Sequence, residues 1–509
     1  MPTSLVLVRK DSYQDSVLLM RISREVTSLP GVLDAVVAMG TPHNRELLQS
    51  TGYVSAALRD AGPNDLVIAV RSEDVGQATI EQAVDRLLRG KATATTEQRP
   101  TTLAGAVTDH PDANLVLISL PGEHAVREAR RALSLGRHVM LFSDNVSVED
   151  EVSLKREAAK KGLLMMGPDC GTAIINGMPL AFANVVRRGP IGIVGAAGTG
   201  IQEISSCIDR MGGGVSQAIG TGGRDLSEAV GGTMMLLGIE ALAADRATKV
   251  LVIVSKPPSE AVAERVIAAA KGTGKPTVIH FVGGVTPPRG PSGAVQFADT
   301  LASTAEVACR LAGVAVAQVS DHAVSEARVA ELLAHMEGRS KLRGLFCGGT
   351  TGNEALVLLS RAGLEVRSNL HKKGPLKVDG ATVVSGHVLL DLGDDLFCVG
   401  RPHPMIEPGL RNERLLLEMQ DPEVGVLLFD VVLGHGSHAD PAGLLVEGVG
   451  AARQRRPHLV AVASVTGTEA DPQCLSAQRR ALEAAGVVVM PDNRRAAELA
   501  ALLIKRVQA

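Results

Sequence analysis

Short, continuous apolar runs recur along most of this chain, separated by stretches with helical spacing. Asn114–Leu120 and His138–Phe142 read as buried strands, with helices over Glu123–Leu135 and Val148–Lys161. Leu163–Met166 then runs into Gly167-Pro-Asp-Cys-Gly171. A second unit opens at Gly189-Pro190 with strand Ile191–Val194, turn Gly195–Gly200 and helix Ile201–Met211, and continues through strands Lys249–Val254 and Pro276–Val282. A third opens near Lys341 with strand Leu342–Phe346, turn Cys347–Gly352 and a helix from Asn353. Its later strands are Val424–Phe429, Leu459–Ala463 and Val487–Met490. Apolar strands alternating with helices predict parallel sheets with right-handed crossovers. The first ninety residues are smaller in scale: strand-like Ser4–Val8, Gly31–Val37 and Asp65–Val70, and a helix over Val17–Thr27. The fold class read from this pattern is α/β. An N-terminal α+β module, ferredoxin-like, spans 1–92; Gly90–Thr102 is a linker; a Rossmann-like domain spans 100–187. Two flavodoxin-like domains with parallel sheets, two copies of one plan, span 188–320 and 340–509.

Composition agrees with buried parallel sheets. The 509 residues include 54 Gly but no Trp, two Tyr and seven Phe, so the cores are aliphatic. Formal charge is −3, without a basic stripe carrying aromatics, which argues against nucleic acid. No apolar run approaches the roughly 18 residues of a membrane span. No basic segment followed by an apolar run marks a signal peptide, so a cytoplasmic location is expected. The six cysteines are scattered, with no Cys-x-x-Cys pair, which fits a reducing compartment and no zinc site.

Chemistry concentrates at two strand–turn–helix junctions. Gly195, Gly198, Thr199 and Gly200 lie in one turn; Gly348, Gly349, Thr350, Thr351 and Gly352 lie in the other. Free N–H groups at a helix start attract anions, and glycines let the backbone come close. Neither turn is a Walker loop or a strict dinucleotide fingerprint, and a ligand-free tight turn is the alternative. Arg224, in Gly220-Thr-Gly-Gly-Arg224, adds a guanidinium to a flexible turn. Near the C-terminus, Arg401, His403 and Arg411 lie in and beside a Pro-rich loop. Asp430 ends an apolar strand, followed by His435, His438 and Asp440 in a Gly-containing loop. Loops beyond the carboxyl ends of parallel strands bind ligands in such sheets. His403, Arg401, His438 and Asp440 are therefore the candidate catalytic residues, with Arg411 and Arg224 as anion binders. No metal site is expected, although His435, His438 and Asp440 form a conceivable set. Asp471, with Thr466 and Thr468, reads as the cap of a helix beginning near Pro472.

Ile191-Gly-Ile-Val-Gly-Ala-Ala-Gly-Thr-Gly-Ile-Gln-Glu203 resembles the strand–turn–helix opening the ligase domain of the succinyl-CoA synthetase α chain. Gly167-Pro-Asp-Cys170 resembles the Gly-Pro-Asn-Cys segment ending that family's CoA-binding domain. Lys275-Pro-Thr-Val and Gly283-Gly-Val-Thr-Pro-Pro-Arg289 resemble the strand and loop leading to its catalytic centre. The likeness covers about residues 100 to 320. It implies a CoA-binding-type domain at 100–187, ligase-type domains after it, and CoA as a possible cofactor. One departure is large. Where that family carries its phosphorylated histidine in Gly-His-Ala-Gly-Ala, this chain reads Arg289-Gly-Pro-Ser-Gly-Ala-Val295. His280 falls inside a strand pattern and reads as structural, so a phosphohistidine relay is not expected.

The whole-chain layout, with Gly400-Arg-Pro-His-Pro-Met-Ile-Glu-Pro408, Asp430-Val-Val-Leu-Gly-His-Gly-Ser-His-Ala-Asp-Pro441 and Val465-Thr-Gly-Thr-Glu-Ala-Asp-Pro-Gln473, resembles the FdrA family. That resemblance implies an enzyme subunit transferring a carbamoyl group between oxamate or oxalurate and carbamoyl phosphate in allantoin breakdown. It implies small anionic substrates, carbamoyl phosphate and oxamate, and partner subunits. The alternatives are a nucleotide-dependent, succinate-CoA ligase-like acyl-CoA synthetase and a non-catalytic scaffold subunit.

Overall fold

Strand-length apolar runs and Ala-rich helices build two units in the computed structural model, one from residues 1–99 with 399–402, the other from 100–398 with 403–509. The structure describes residues 3–14, 16–27, 29–50, 52–73, 75–89, 100–284, 294–315, 324–379, 384–398 and 402–509. In the first unit, strand Leu66–Ser72 lies between Thr3–Arg9 and Val32–Met39, antiparallel to both. Helices Ser16–Thr27 and Gln77–Arg89 bury Leu19, Ile22, Val26, Ile80 and Val84 against Val37, Ile68 and Val70. This order is that of a ferredoxin-like β-α-β-β-α-β unit without its last strand and with two extra helices, Pro42–Ser50 and Ala56–Arg59, between the second and third strands.

The second unit carries three sheets. Leu115–Ile118, His138–Leu141 and Met165–Met166 form a small parallel sheet. The next sheet has seven strands, in the order Val295–Phe297, Thr277–Phe281, Val250–Ser255, Arg188–Ala196, Val215–Gly220, Thr172–Ile175 and Met178–Ala181. Its five parallel strands, counted from Arg188–Ala196, follow the flavodoxin order 2-1-3-4-5. The antiparallel Thr172–Ala181 hairpin extends its edge. That hairpin precedes residue 187, so the sheet crosses the expected domain boundary at 187/188. The third sheet is wholly parallel: Val366–Ser368, His387–Asp391, Lys341–Phe346, Val424–Val432, Val460–Thr466 and Val488–Met490. Without the short Val366–Ser368 edge it repeats the same order. Among the described residues no helix is long and apolar enough to cross a membrane.

The two flavodoxin-like halves are bolted together by a reciprocal pair of carboxylates. Helix Gly198–Arg210 follows the first strand of one half, and helix Gly349–Arg361 follows the first strand of the other. Glu203 on the former takes the Thr466 hydroxyl at 2.5 Å and the backbone N–H of Asn493, the first residue of helix Asn493–Gln508. Glu354 on the latter takes the backbone N–H of Leu301, the first residue of helix Leu301–Leu311, at 2.6 Å. Asn493 Nδ2 donates to it at 2.7 Å. Each glutamate thus accepts from the first N–H of the other half's closing helix, where the helix dipole favours an acceptor. Asp471 belongs to the same clasp. Its carboxylate takes the Val185 and Thr468 N–H groups and Asn184 Nδ2, at 2.7, 2.8 and 2.8 Å. The helix after it starts at Leu475, with Cys474 at its cap position and no side-chain cap. This corrects the capping role expected for Asp471, Thr466 and Thr468: all three bridge the halves.

Candidate functional site

In a 2-1-3-4-5 sheet the crossovers leave strand 1 in opposite directions, and a crevice opens between the ends of strands 1 and 3. Both halves have that crevice. In the first it lies between the Gly195–Gly200 turn and Ser255-Lys256; in the second, between Cys347–Gly352 and the segment from Asp430. The two crevices adjoin, because the two helix starts touch. Thr350 N–H donates to Thr199 Oγ1 at 3.2 Å, and a Cβ on Gly200 would lie 3.0 Å from Thr350 Cγ2. First-turn N–H groups have no acceptor inside their own helix, so each helix brings orphan donors and about half a positive charge.

Gly198, Thr199 and Gly349 are half-buried and reach solvent, whereas Gly195, Gly200, Gly348, Thr350, Thr351 and Gly352 are buried. The buried glycines serve packing: a Cβ on Gly195 would stand 2.7 Å from Val254 Cγ1, and one on Gly348 2.8 Å from Thr199 Cγ2. Thr351 donates to Asp430 Oδ2 at 2.7 Å. The solvent-reaching part of the paired helix starts is thus Gly198-Thr199 on one helix and Gly349 on the other.

Lys256, which the sequence reading passed over, completes this surface. A Cβ on Gly349 would lie 3.4 Å from its ammonium and 2.6 Å from Asp391 Oδ2. Among the described residues the Lys256 ammonium has no hydrogen-bond partner, and it acts on the Asp391 and Asp169 carboxyls through charge alone. Asp391 ends strand His387–Asp391 and is 4% exposed. Burial pushes its carboxyl up to about 6, against the pull of Lys256. Asp169 stands on the left-handed corner of Gly167–Cys170 with φ 54° and reaches solvent. Its carboxyl is also raised to about 6, chiefly by the surrounding protein, again with Lys256 opposing.

Asp430 does not face a ligand. It is fully buried and takes the N–H groups of Cys347 and Gly348 at 2.8 and 3.0 Å, which fixes the start of the Gly349 helix. Arg411 is 3% exposed, donates to the Asp430 carbonyl and lies 3.6 Å from its carboxylate. The structure therefore places Arg411 as a buried counter-ion. Arg224 is similarly engaged: Nε meets Glu151 Oε2 at 3.0 Å and Nη2 donates to the Val146 carbonyl at 2.8 Å. It joins a buried cluster in which Lys155 pairs with Glu151 and Asp225, each at 2.8 Å.

His403 comes close to the second crevice. Its Nε2 would be 2.5 Å from a Cβ on Gly393, two residues after Asp391, and its ring packs on Phe182 at a 41° tilt with centroids 5.6 Å apart. Met405 N–H donates to Nδ1 at 3.2 Å, so Nε2 carries the proton of the neutral ring. Burial lowers its pKa to about 4 and keeps it neutral at physiological pH. His438 sits in the adjoining loop, its N–H donating to the Met405 carbonyl at 2.8 Å and its Nδ1 accepting from Asp440 N–H at 3.0 Å. Asp440 is the N-cap of helix Pro441–Arg455 and takes Gly443 N–H at 3.1 Å. Among the described residues no group of three His, Cys, Asp or Glu side chains is placed to hold a metal. Arg401 lies outside the described residues, as do 285–293 in the segment compared with the phosphohistidine loop. His280 is buried, bonded through Nδ1 to the Ala298 carbonyl at 2.9 Å, with its pKa lowered to about 4. It is a core residue, as its strand position implied.

Comparisons with known proteins address the same segments. Residues 1–102 match a family described as AllF, heavy metal-associated domain; residues 186–283 match the CoA binding domain; residues 345–503 match CoA-ligase. The CoA-binding match falls on the first flavodoxin-like half rather than on 100–187. Over 499 residues the chain is 43% identical to YahF of Escherichia coli (strain K12), covering 96% of each chain. It is 28% identical over 191 residues to the succinate–CoA ligase [ADP-forming] subunit alpha-2, mitochondrial, of Trichomonas vaginalis, covering 36% of this chain and 60% of that one. Among solved structures, PH0766 from Pyrococcus horikoshii OT3 aligns over 79% of this chain and 86% of its own, at 17% identity and a TM-score of 0.29. The first 102 residues contain no Cys and one His, His43, so they do not supply a soft-metal ligand set.

Proposed function

This chain belongs to the FdrA-type, succinyl-CoA synthetase-like family that includes YahF, and from that premise we propose that it is the enzyme subunit that transfers a carbamoyl group between oxamate and phosphate. The observation that carries the reading is the meeting of two helix starts at Thr199 and Thr350, with the Lys256 ammonium beside them. Such a cradle holds the phosphate of carbamoyl phosphate, or inorganic phosphate in the reverse direction, and favours negative charge on the departing oxygens. The Nε2–H of His403 is a donor suited to the carbonyl oxygen of the transferred group as it gains charge. Transfer of this kind needs positioning and electrostatics, with no covalent nucleophile. The shielded, neutral His280 is unsuited to carrying phosphate.

The test is coexpression with the neighbouring genes, then incubation of the complex with oxalurate and phosphate, reading carbamoyl phosphate with carbamate kinase and ADP. ATP formation is expected. A stable phosphoprotein formed from labelled ATP, or no turnover with any partner, overturns the reading.

The CoA-named family matches favour a second reading, an acyl-CoA ligase subunit. Helices Gly122–Ser134 and Val148–Lys160 flank a groove of about 560 Å³ lined by Arg127, Arg130, Arg131, Ser134, Asn145 and Ser147. Those guanidinium groups, in the segment 100–187 that the succinyl-CoA synthetase resemblance made CoA-binding but outside the matched residues 186–283, suit the phosphates of CoA, which would supply the acceptor thiol. This reading requires CoA to bind and Arg130→Ala with Arg131→Ala to weaken it.

A further inference from the structure

Resting on the carbamoyl-transfer reading, we propose that Asp391 is its acid–base residue, passing a proton between phosphate and the amide nitrogen of oxamate. Three observations converge on it. Asp391 ends the strand that flanks strand 1 of the second half on the side away from strand 3, beside the start of the Gly349 helix, and is buried except for 4% of its surface. Its Oδ1 is fixed by the Gly393 N–H at 3.0 Å, and its main chain is locked to Asn369 through two bonds of 3.0 Å. Its Oδ2 has no hydrogen-bond partner among the described residues and points at the start of the Gly349 helix, 2.6 Å from where a Cβ on that glycine would stand. A carboxylate oxygen left bare at an anion cradle conflicts with the anion unless it carries a proton. Protonated, the same oxygen becomes a donor aimed at the bound substrate.

The surroundings set that proton's affinity. Lys256 faces Asp391 from the end of strand Val250–Ser255 and opposes protonation; Asp394 in its own loop and Asp430, two strands away across Lys341–Phe346, favour it. The thiols of Cys347 and Cys398 also face it, both raised chiefly by burial. The balance holds the carboxyl at about 6, and a dianion in the cradle pushes it further up. In phosphorolysis a phosphate oxygen attacks the ureido carbon of oxalurate and a C–O bond forms. The C–N bond breaks, and its electron pair stays on the oxamate nitrogen, which takes the Asp391 proton. The proton of hydrogen phosphate restores Asp391, so the products are carbamoyl phosphate and oxamate.

Two measurements on wild type and Asp391→Asn test this. The first is sulfate binding by calorimetry between pH 5 and 8, a range in which sulfate itself does not titrate. Wild-type affinity is expected to fall as pH rises above about 6, approaching tenfold per unit; Asp391→Asn is expected to lose most of that slope, the remainder coming from Asp169 across Lys256 and disappearing in Asp169→Asn with Asp391→Asn, and to bind at least as well at pH 8. An undiminished slope in Asp391→Asn overturns the assignment. The second is oxalurate phosphorolysis by the assembled complex, where Asp391→Asn should lose about 10²- to 10⁴-fold in rate and the high-pH fall with it. If the wild-type complex turns over and Asp391→Asn matches its rate and profile, the role of Asp391 fails and the reading stands. If the wild-type complex does not turn over, both fall.

Discussion

Lys256 illustrates what a single residue gains from its place in a fold. In the sequence it follows a strand and precedes two prolines, with nothing to set it apart from a solvated loop lysine. The topology sets it at the crevice between strands 1 and 3, beside Gly349, where it faces the raised carboxyls of Asp391 and Asp169. On the proposed reading its charge also meets the bound anion. Lys256→Met keeps the aliphatic stem and removes the charge. A charge-assisted hydrogen bond of about 1.5 to 3 kcal/mol should be lost, so phosphate affinity should fall roughly 10- to 100-fold with the melting temperature unchanged. Titration calorimetry reads this directly, and unaltered affinity would remove Lys256 from the cradle. Asp391 was missed at the sequence level for a related reason. Its strand is short and was not recognised, although an Asp closing Val388-Leu-Leu mirrors Asp430 closing its own apolar run. Arg224 and Arg411 show the converse. A guanidinium in a glycine- or proline-rich segment looks available to a ligand, but partners distant in sequence already hold both.

At the scale of elements, the strand–turn–helix junctions were legible because glycine and hydrophobic period change together at their ends. What the period could not show is which buried acid holds a turn in place. Asp430 fixes the start of the Gly349 helix through two N–H groups and the Thr351 hydroxyl, and Arg411 pays for burying that charge. Removing the guanidinium leaves a carboxylate without its counter-ion. Arg411→Ala should destabilise the fold by about 3 to 5 kcal/mol, measured by urea unfolding. A loss below about 1 kcal/mol would mean that the pair is not the support described. The Thr172–Ala181 hairpin was hidden for another reason. Its strands are only four residues each, the second carrying Pro179, and they acquire their identity only by pairing with each other and, through Thr172–Ile175, with Val215–Gly220.

For the whole molecule, the duplication of a flavodoxin-like plan was visible in the repeated opening of each half, whereas the interface between the halves was not. Glu203 and Glu354 read as ordinary helix glutamates, and only packing makes them reciprocal acceptors. Burial raises both carboxyl groups, Glu354 to about 7 from its ordinary 4.5. The folded protein therefore holds the Glu354 proton more tightly than the unfolded chain does. The stability linked to it is complete below about pH 4.5, declines as pH rises, and is gone above about pH 7, a span of order 3 kcal/mol. The stability difference between Glu354→Gln and wild type should accordingly shift in favour of the variant across pH 4.5 to 7 in denaturant titrations. A difference that does not vary with pH would contradict the raised carboxyl. The contact between Thr199 and Thr350 has a consequence of its own. Neither half holds the cradle alone, since each contributes one helix start. Any anion that binds there selects the docked arrangement and adds its binding free energy to that of docking. On the proposed reading the bound anion is thus also a keystone: as its concentration rises, the two halves are clamped more firmly.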